Sequence, residues 1–104
     1  VTVYVDNARI PARMGRITAR WSHLTADTVE ELNEFAVRLG LLPEWFQTCK
    51  RPCHSRLPCT HWHFDVVDAK RDEAIRAGAK AIDIREMGAI TSARRQALLA
   101  GEGR

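Results

Sequence analysis

The chain opens on a β-branched, alternating segment, Val1-Thr2-Val3-Tyr4-Val5, which stops at the turn-forming pair Asp6-Asn7. This pattern predicts a first strand. From Ala8 to Arg20 the pattern is interrupted by Pro11 and Gly15. Arg9, Arg13, Arg16 and Arg20 have helical spacing, but the two breakers argue for an arginine-rich loop. Trp21 to Leu24 reads as a short extended piece. A helix follows, because Thr28 and Glu31 form a capping box and Asp27 places negative charge near the positive end of the helix dipole. Val29, Leu32, Phe35, Ala36 and Leu39 fall on one face, and Gly40 can close the helix in the left-handed conformation. Leu41 to Phe46 reads as one further turn.

Residues 47 to 60 hold Pro52, Pro58 and all three cysteines, and are predicted to be a loop, long for a compact domain. His61 to Val67 alternates as a strand, with Trp62, Phe64 and Val66 on one face and His61, His63, Asp65 and Val67 on the other. Asp68 is placed to cap a second helix bearing Ala69, Ala74, Ile75 and Ala77, with Gly78 after it. Ala81, Ile82 and Ile84 suggest a third strand, and Thr91 or Ser92 the start of a last helix. The sequence predicts a single small α/β domain over residues 1–100, in the order β-α-β-α-β-α. Its sheet is expected to be mainly parallel, with three or four strands and right-handed crossovers, interrupted by a long Cys/His-containing loop. Residues 101–104 read as a flexible tail.

Composition adds bounds to this picture. A length of 104 residues suits one core, and 45% hydrophobic with 28% charged residues is ordinary for a folded domain. No apolar run is long enough to span a bilayer, and Val1 to Val5 has neither the length nor the basic flank of a signal peptide. The expectation is therefore cytoplasmic residence with reduced thiols. An odd count of cysteines points the same way. The net charge of +3 is mildly basic. It suits a nucleic-acid or protein partner approached through Arg9, Arg13, Arg16 and Arg20, or simply a solvated surface.

Two constellations carry possible chemistry. The stretch Cys49-x3-Cys53-His54-x4-Cys59-x-His61-x-His63 offers thiolates and imidazoles, the donors that zinc takes in a tetrahedron. The expected set is Cys49, Cys53 and Cys59, with His61 or His63 closing it, and such a site would pin the loop. The alternative is that these cysteines are small packed hydrophobes. The second constellation is Asp6, His23, Asp27, His63 and Asp65. If strand ends gather them, they could hold a divalent metal and activate water on a phosphoester, with Arg9 or Arg13 on the phosphate. Each also has a plainer use, as a turn opener, a helix-terminal charge, an ion-pair partner or a core histidine. The chain has no GxGxxG, P-loop, GxSxG or HExxH motif.

Several segments are together similar to a known family: Val3 to Asp6, Trp21-Ser22-His23-Leu24-Thr25-Ala26-Asp27, Glu30-Glu31-Leu32, Phe35-Ala36, Leu39-Gly40-Leu41, Trp45-Phe46-Gln47, His63-Phe64-Asp65, Lys70-Arg71 and Ala77-Gly78-Ala79. The chain resembles domain of unknown function 4031, over roughly Val1 to Arg85. The resemblance implies a short phage or actinobacterial protein of the bacterial cytosol, and it draws attention to Asp6, His23, Asp27, His63 and Asp65. The cysteine loop lies outside the family pattern. The leading expectation is a small binding or regulatory protein, acting on a host protein or nucleic acid, with a structural zinc. A metal-dependent hydrolase of phosphoesters or nucleotides is the alternative. A nucleic-acid binder, with Trp21 available for stacking, is the third.

Overall fold

A long central strand organises the molecule. The computed structural model describes residues 2–49 and 58–102. Strand β1 (Val3–Val5) is followed by β2 (Ile10–Met14) and β3 (Ile17–Ala26), so the segment expected to be an arginine-rich loop is instead a β-hairpin. Met14 pairs with Ile17 across the two residues Gly15 and Arg16. Gly15 sits at φ 61°, and a positive φ at the first central position is what a tight II′ turn requires. Pro11 is accommodated because β2 pairs on one side only, and an edge strand tolerates a missing donor. The same Gly and Pro that broke the sequence pattern thus mark a hairpin tip and a sheet edge.

Beyond the hairpin, α1 (Val29–Leu39) begins at the expected cap: the Thr28 hydroxyl accepts from the Glu31 backbone N–H at 3.2 Å. It ends at Gly40 with φ 85°. A short 3₁₀ turn (Pro43–Trp45) leads to β4 (Phe64–Val67), α2 (Asp68–Arg76), β5 (Lys80–Ala81) and α3 (Ile84–Glu102). Asp68 begins α2 without capping it and instead pairs with Arg9. Ile84 belongs to the last helix rather than a third strand. That helix starts at a reciprocal box, in which Asp83 accepts from the Glu86 N–H at 2.8 Å and Glu86 from the Asp83 N–H at 3.3 Å. It therefore begins well before Thr91, and it runs through Gly101.

The sheet corrects the expectation of mainly parallel pairing. Strands β1, β2 and β4 all run antiparallel to β3, and among the described residues only β1 with β5 is parallel. Trp21 pairs with both Ile10 and Val67, and Leu24 with both Val5 and Phe64, so β1 and β2 share one side of β3 and β4 takes the other. Residues directly opposite one another point to the same face. Val5, Leu24 and Phe64 therefore point together into the core, where they meet Leu32, Phe35, Ala36 and Leu39 of α1 and Ala74 of α2. His23 and Asp65, also opposite one another, point to the other face. There α3 crosses: Arg94 donates to the carbonyls of Thr60 and Ala26 and to the Thr25 hydroxyl, with its guanidinium 3.5 Å from the Trp62 ring centroid.

Candidate metal centre

The centre grows out of a defect in the β1–β3 ladder. Between the pairs Val5–Leu24 and Ile10–Trp21, residues 6–9 stand against only Ser22 and His23. Asp6 repairs this gap. Its N–H donates to the His23 carbonyl at 3.0 Å, and its carboxylate accepts from the backbone N–H groups of His23 and Ala8. The same carboxylate meets His23 Nδ1 at 2.7 Å. Arg71 holds the Asp6 carbonyl at 2.7 Å. Asp6 is 1% exposed. Burial pushes its carboxyl up, but the bonds from the His23 ring and from two backbone N–H groups outweigh burial and leave it below the ordinary value. The bond to Asp6 raises the His23 imidazole against the opposing effect of burial, aided by the charges of Asp6 and Asp65.

His63 and Asp65 complete the group. His63 Nδ1 lies 2.6 Å from the His61 carbonyl, an acceptor, so this nitrogen carries the proton and Nε2 faces inward. Nε2 stands 3.2 Å from Asp65 Oδ1, while Gln47 Nε2 donates to Asp65 Oδ2 at 2.6 Å. Burial pushes the Asp65 carboxyl up, and its contacts with His63, His23 and Gln47 bring it below the ordinary value. One donor atom from each of His23, His63 and Asp65 lies within 4.8 Å of the others. With Nδ1 of both rings committed to acceptors, Nε2 of each is the nitrogen left for a ligand. Two histidines held by a carboxylate and a carbonyl, plus a carboxylate held by an amide, is the arrangement that orients metal ligands. Nitrogen and oxygen donors on a tetrahedral ion, with bonds of about 2.0–2.1 Å, stand about 3.3–3.4 Å apart, close to the His63–Asp65 spacing.

A second group lies beside it. Cys49, Cys59 and His61 also place one donor each within 4.8 Å, with Cys49 Sγ 3.6 Å from His61 Nδ1. Sulfur and nitrogen on one tetrahedral zinc would stand about 3.5–3.6 Å apart. The Cys59 sulfur accepts backbone N–H bonds from Cys49 at 3.4 Å and His61 at 3.3 Å. Cys53, expected in the same set, lies outside the described residues. His23, His61, His63 and Trp62 form one wall of a cleft of about 380 Å³, and Met87, Thr91 and Arg94 of α3 form the other. Another depression of about 340 Å³, between Thr2, Glu34, Arg38 and Gly78, contains no such donor group among the described residues.

The structure therefore brings together four of the five expected catalytic residues, Asp6, His23, His63 and Asp65, with Asp6 behind His23. Asp27 is placed elsewhere: its carboxylate accepts from the Thr2 N–H and the Tyr4 hydroxyl and ties down the start of β1. Arg9 is engaged by both oxygens of Asp68. Arg13, Arg16 and Arg20 are exposed on the hairpin, with Arg13 donating to the Gly15 carbonyl. Sequence reasoning missed Gln47 and Arg94. Gln47 pairs through its backbone with His63, which no periodicity signals across the intervening loop. Arg94 lies on a helix face with Met87, Thr91 and Leu98. Burial lowers its guanidinium to about 10, an unusual value for arginine.

A family model described as a protein of unknown function, DUF4031, matches residues 3–95, and the chain belongs to that family. No curated protein matches it, and neither does any solved structure. Among the described residues, no helix is long and apolar enough to cross a membrane.

Proposed function

We propose that this domain is a metal-dependent hydrolase of small phosphoesters or nucleotides, with a divalent ion held by His23, His63 and Asp65. One observation carries the reading: three donors converge within 4.8 Å of one another, two of them, His23 and His63, on one wall of a cleft, and each is already held from behind by Asp6, the His61 carbonyl or Gln47. Three protein ligands leave coordination positions for water and substrate, the pattern of catalytic rather than structural sites. The bound ion would lower the pKa of its water and polarise a phosphoryl oxygen. The protein's part is to fix the ligands. Asp6 keeps the His23 proton on Nδ1, the His61 carbonyl does the same for His63, and Gln47 holds one Asp65 oxygen. The cleft volume suits a small ligand, and the half-buried Arg94 gives its wall a positive charge. In this reading Cys49, Cys59 and His61 hold a structural zinc, and Cys53, which the sequence predicts in the same set, is the proposed fourth ligand.

The test is turnover of aryl phosphates and nucleotides by protein reloaded with zinc, manganese or magnesium. Activity that disappears in His23→Ala and Asp65→Ala, but persists in Asp27→Asn, supports the reading. A loaded protein inert on every such substrate refutes it. The exposed hairpin arginines favour a second reading, a nucleic-acid-binding protein. Binding that weakens steeply with salt and on changing Arg13, Arg16 and Arg20 together would support it; salt-independent binding would end it.

A further inference from the structure

The two donor groups are consecutive rungs of one ribbon. Gln47 and His63 form an antiparallel bridge, with Gln47 N–H to His63 O at 2.9 Å and His63 N–H to Gln47 O at 3.0 Å. Moving two residues out along each segment in the same register reaches Cys49 and His61, whose side chains meet at 3.6 Å. The inner rung supports the imidazole–carboxylate centre, since His63 is a donor and Gln47 holds Asp65. The outer rung belongs to the thiolate group, in which the Cys59 sulfur ties both segments together through the N–H groups of Cys49 and His61. The two groups form separate sets of donors, each with its atoms within 4.8 Å of one another, and they share the backbone of the two paired segments.

His61 links the groups directly. Its ring is a donor of the outer group, and its carbonyl receives Nδ1–H of His63. An ion that fixes the His61 ring therefore fixes the peptide that orients His63. From these contacts, and resting on the metal-centre reading above, we infer that the thiolate group is the positioning device of the catalytic centre. Zinc at Cys49, Cys59 and His61 raises the affinity of His23, His63 and Asp65 for a second, harder ion. The two groups differ in the metals they prefer, thiolates selecting zinc and the oxygen-bearing set accepting manganese or magnesium. Loss of an outer-shell partner usually weakens metal binding by about tenfold to a hundredfold. Coupling between two binding sites is reciprocal, so the same factor applies in the other direction.

Manganese provides the readout, because the free ion gives a sharp paramagnetic resonance signal that is lost on binding. Reduced, metal-free wild-type protein is titrated with manganese before and after one equivalent of zinc. The expected result is manganese binding at least tenfold tighter in the zinc-loaded protein, abolished by His23→Ala. Saturating manganese should likewise slow extraction of zinc by a chelator. Equal manganese affinity with and without zinc overturns the inference while leaving the catalytic reading intact. Zinc retained as tightly by a Cys49→Ser/Cys59→Ser variant as by the wild type overturns it too, by placing zinc elsewhere. Zinc-loaded protein whose manganese binding ignores His23→Ala brings down the catalytic reading and this one with it.

Discussion

Asp6 and His23 show how a single side chain can serve both backbone and chemistry. The Asp6 carboxylate replaces ladder bonds that the four-residue bulge would otherwise leave open, and it orients the imidazole. In metal-free protein its carboxyl lies below 3.8 when folded, so its stabilising contribution is complete above that pH and is lost as pH falls through the lowered value. The His23 ring lies above 6.5 when folded, so its contribution is complete below that pH and is lost as pH rises through the raised value. The pair is therefore most stabilising between about 3.8 and 6.5. Denaturant titrations of chelated protein across this range should show a maximum there, flattened in Asp6→Asn. That variant should also cost about 1–3 kcal/mol, because it weakens a buried charged hydrogen bond. Gln47→Ala tests a different kind of support. It should leave the fold intact and weaken metal binding by about tenfold or more, measured by chelator competition.

Among the elements, α1 was the most legible in the sequence because its signals are local. Thr28, Glu31 and Gly40 act within a few residues of themselves, and each stands where the pattern placed it. Thr28→Ala should lower stability by about 1 kcal/mol in denaturant titrations, the usual cost of a lost N-cap. The β2–β3 hairpin was hidden because Pro11 and Gly15 have opposite meanings in a helix and in a sheet edge, and only pairing decides between them. Replacing Gly15 by Val, which rarely adopts its φ of 61°, should destabilise the hairpin, read as a lower melting temperature. The start of α3 was missed for a simpler reason. Asp83 and Glu86 form a box, but Ala81, Ile82 and Ile84 read as strand across it. The candidate centre was legible in its residue types and on one strand face, since His63 and Asp65 were placed together. Its closure was not, because His23 reaches Asp65 by pairing β3 with β4 across some forty residues.

At the scale of the whole molecule, most of the apolar burial lies on one face of the sheet, between β1, β3, β4, α1 and α2. The opposite face is joined to α3 through Arg94 and to the cysteine ribbon through polar contacts. A metal bound there contributes folding energy that packing does not supply. Chelation should therefore lower the melting temperature, and zinc should restore it in wild type but less completely in Cys59→Ser. The central strand carries a last consequence. From Trp21 to Leu24, β3 is bonded on both edges, with Asp6 filling the gap beside Ser22 and His23. In hydrogen exchange these amides should be released only by global unfolding, while Gly15 and Arg16 exchange quickly at the hairpin tip. The histidine that would hold the metal thus belongs to the last segment of the chain to open.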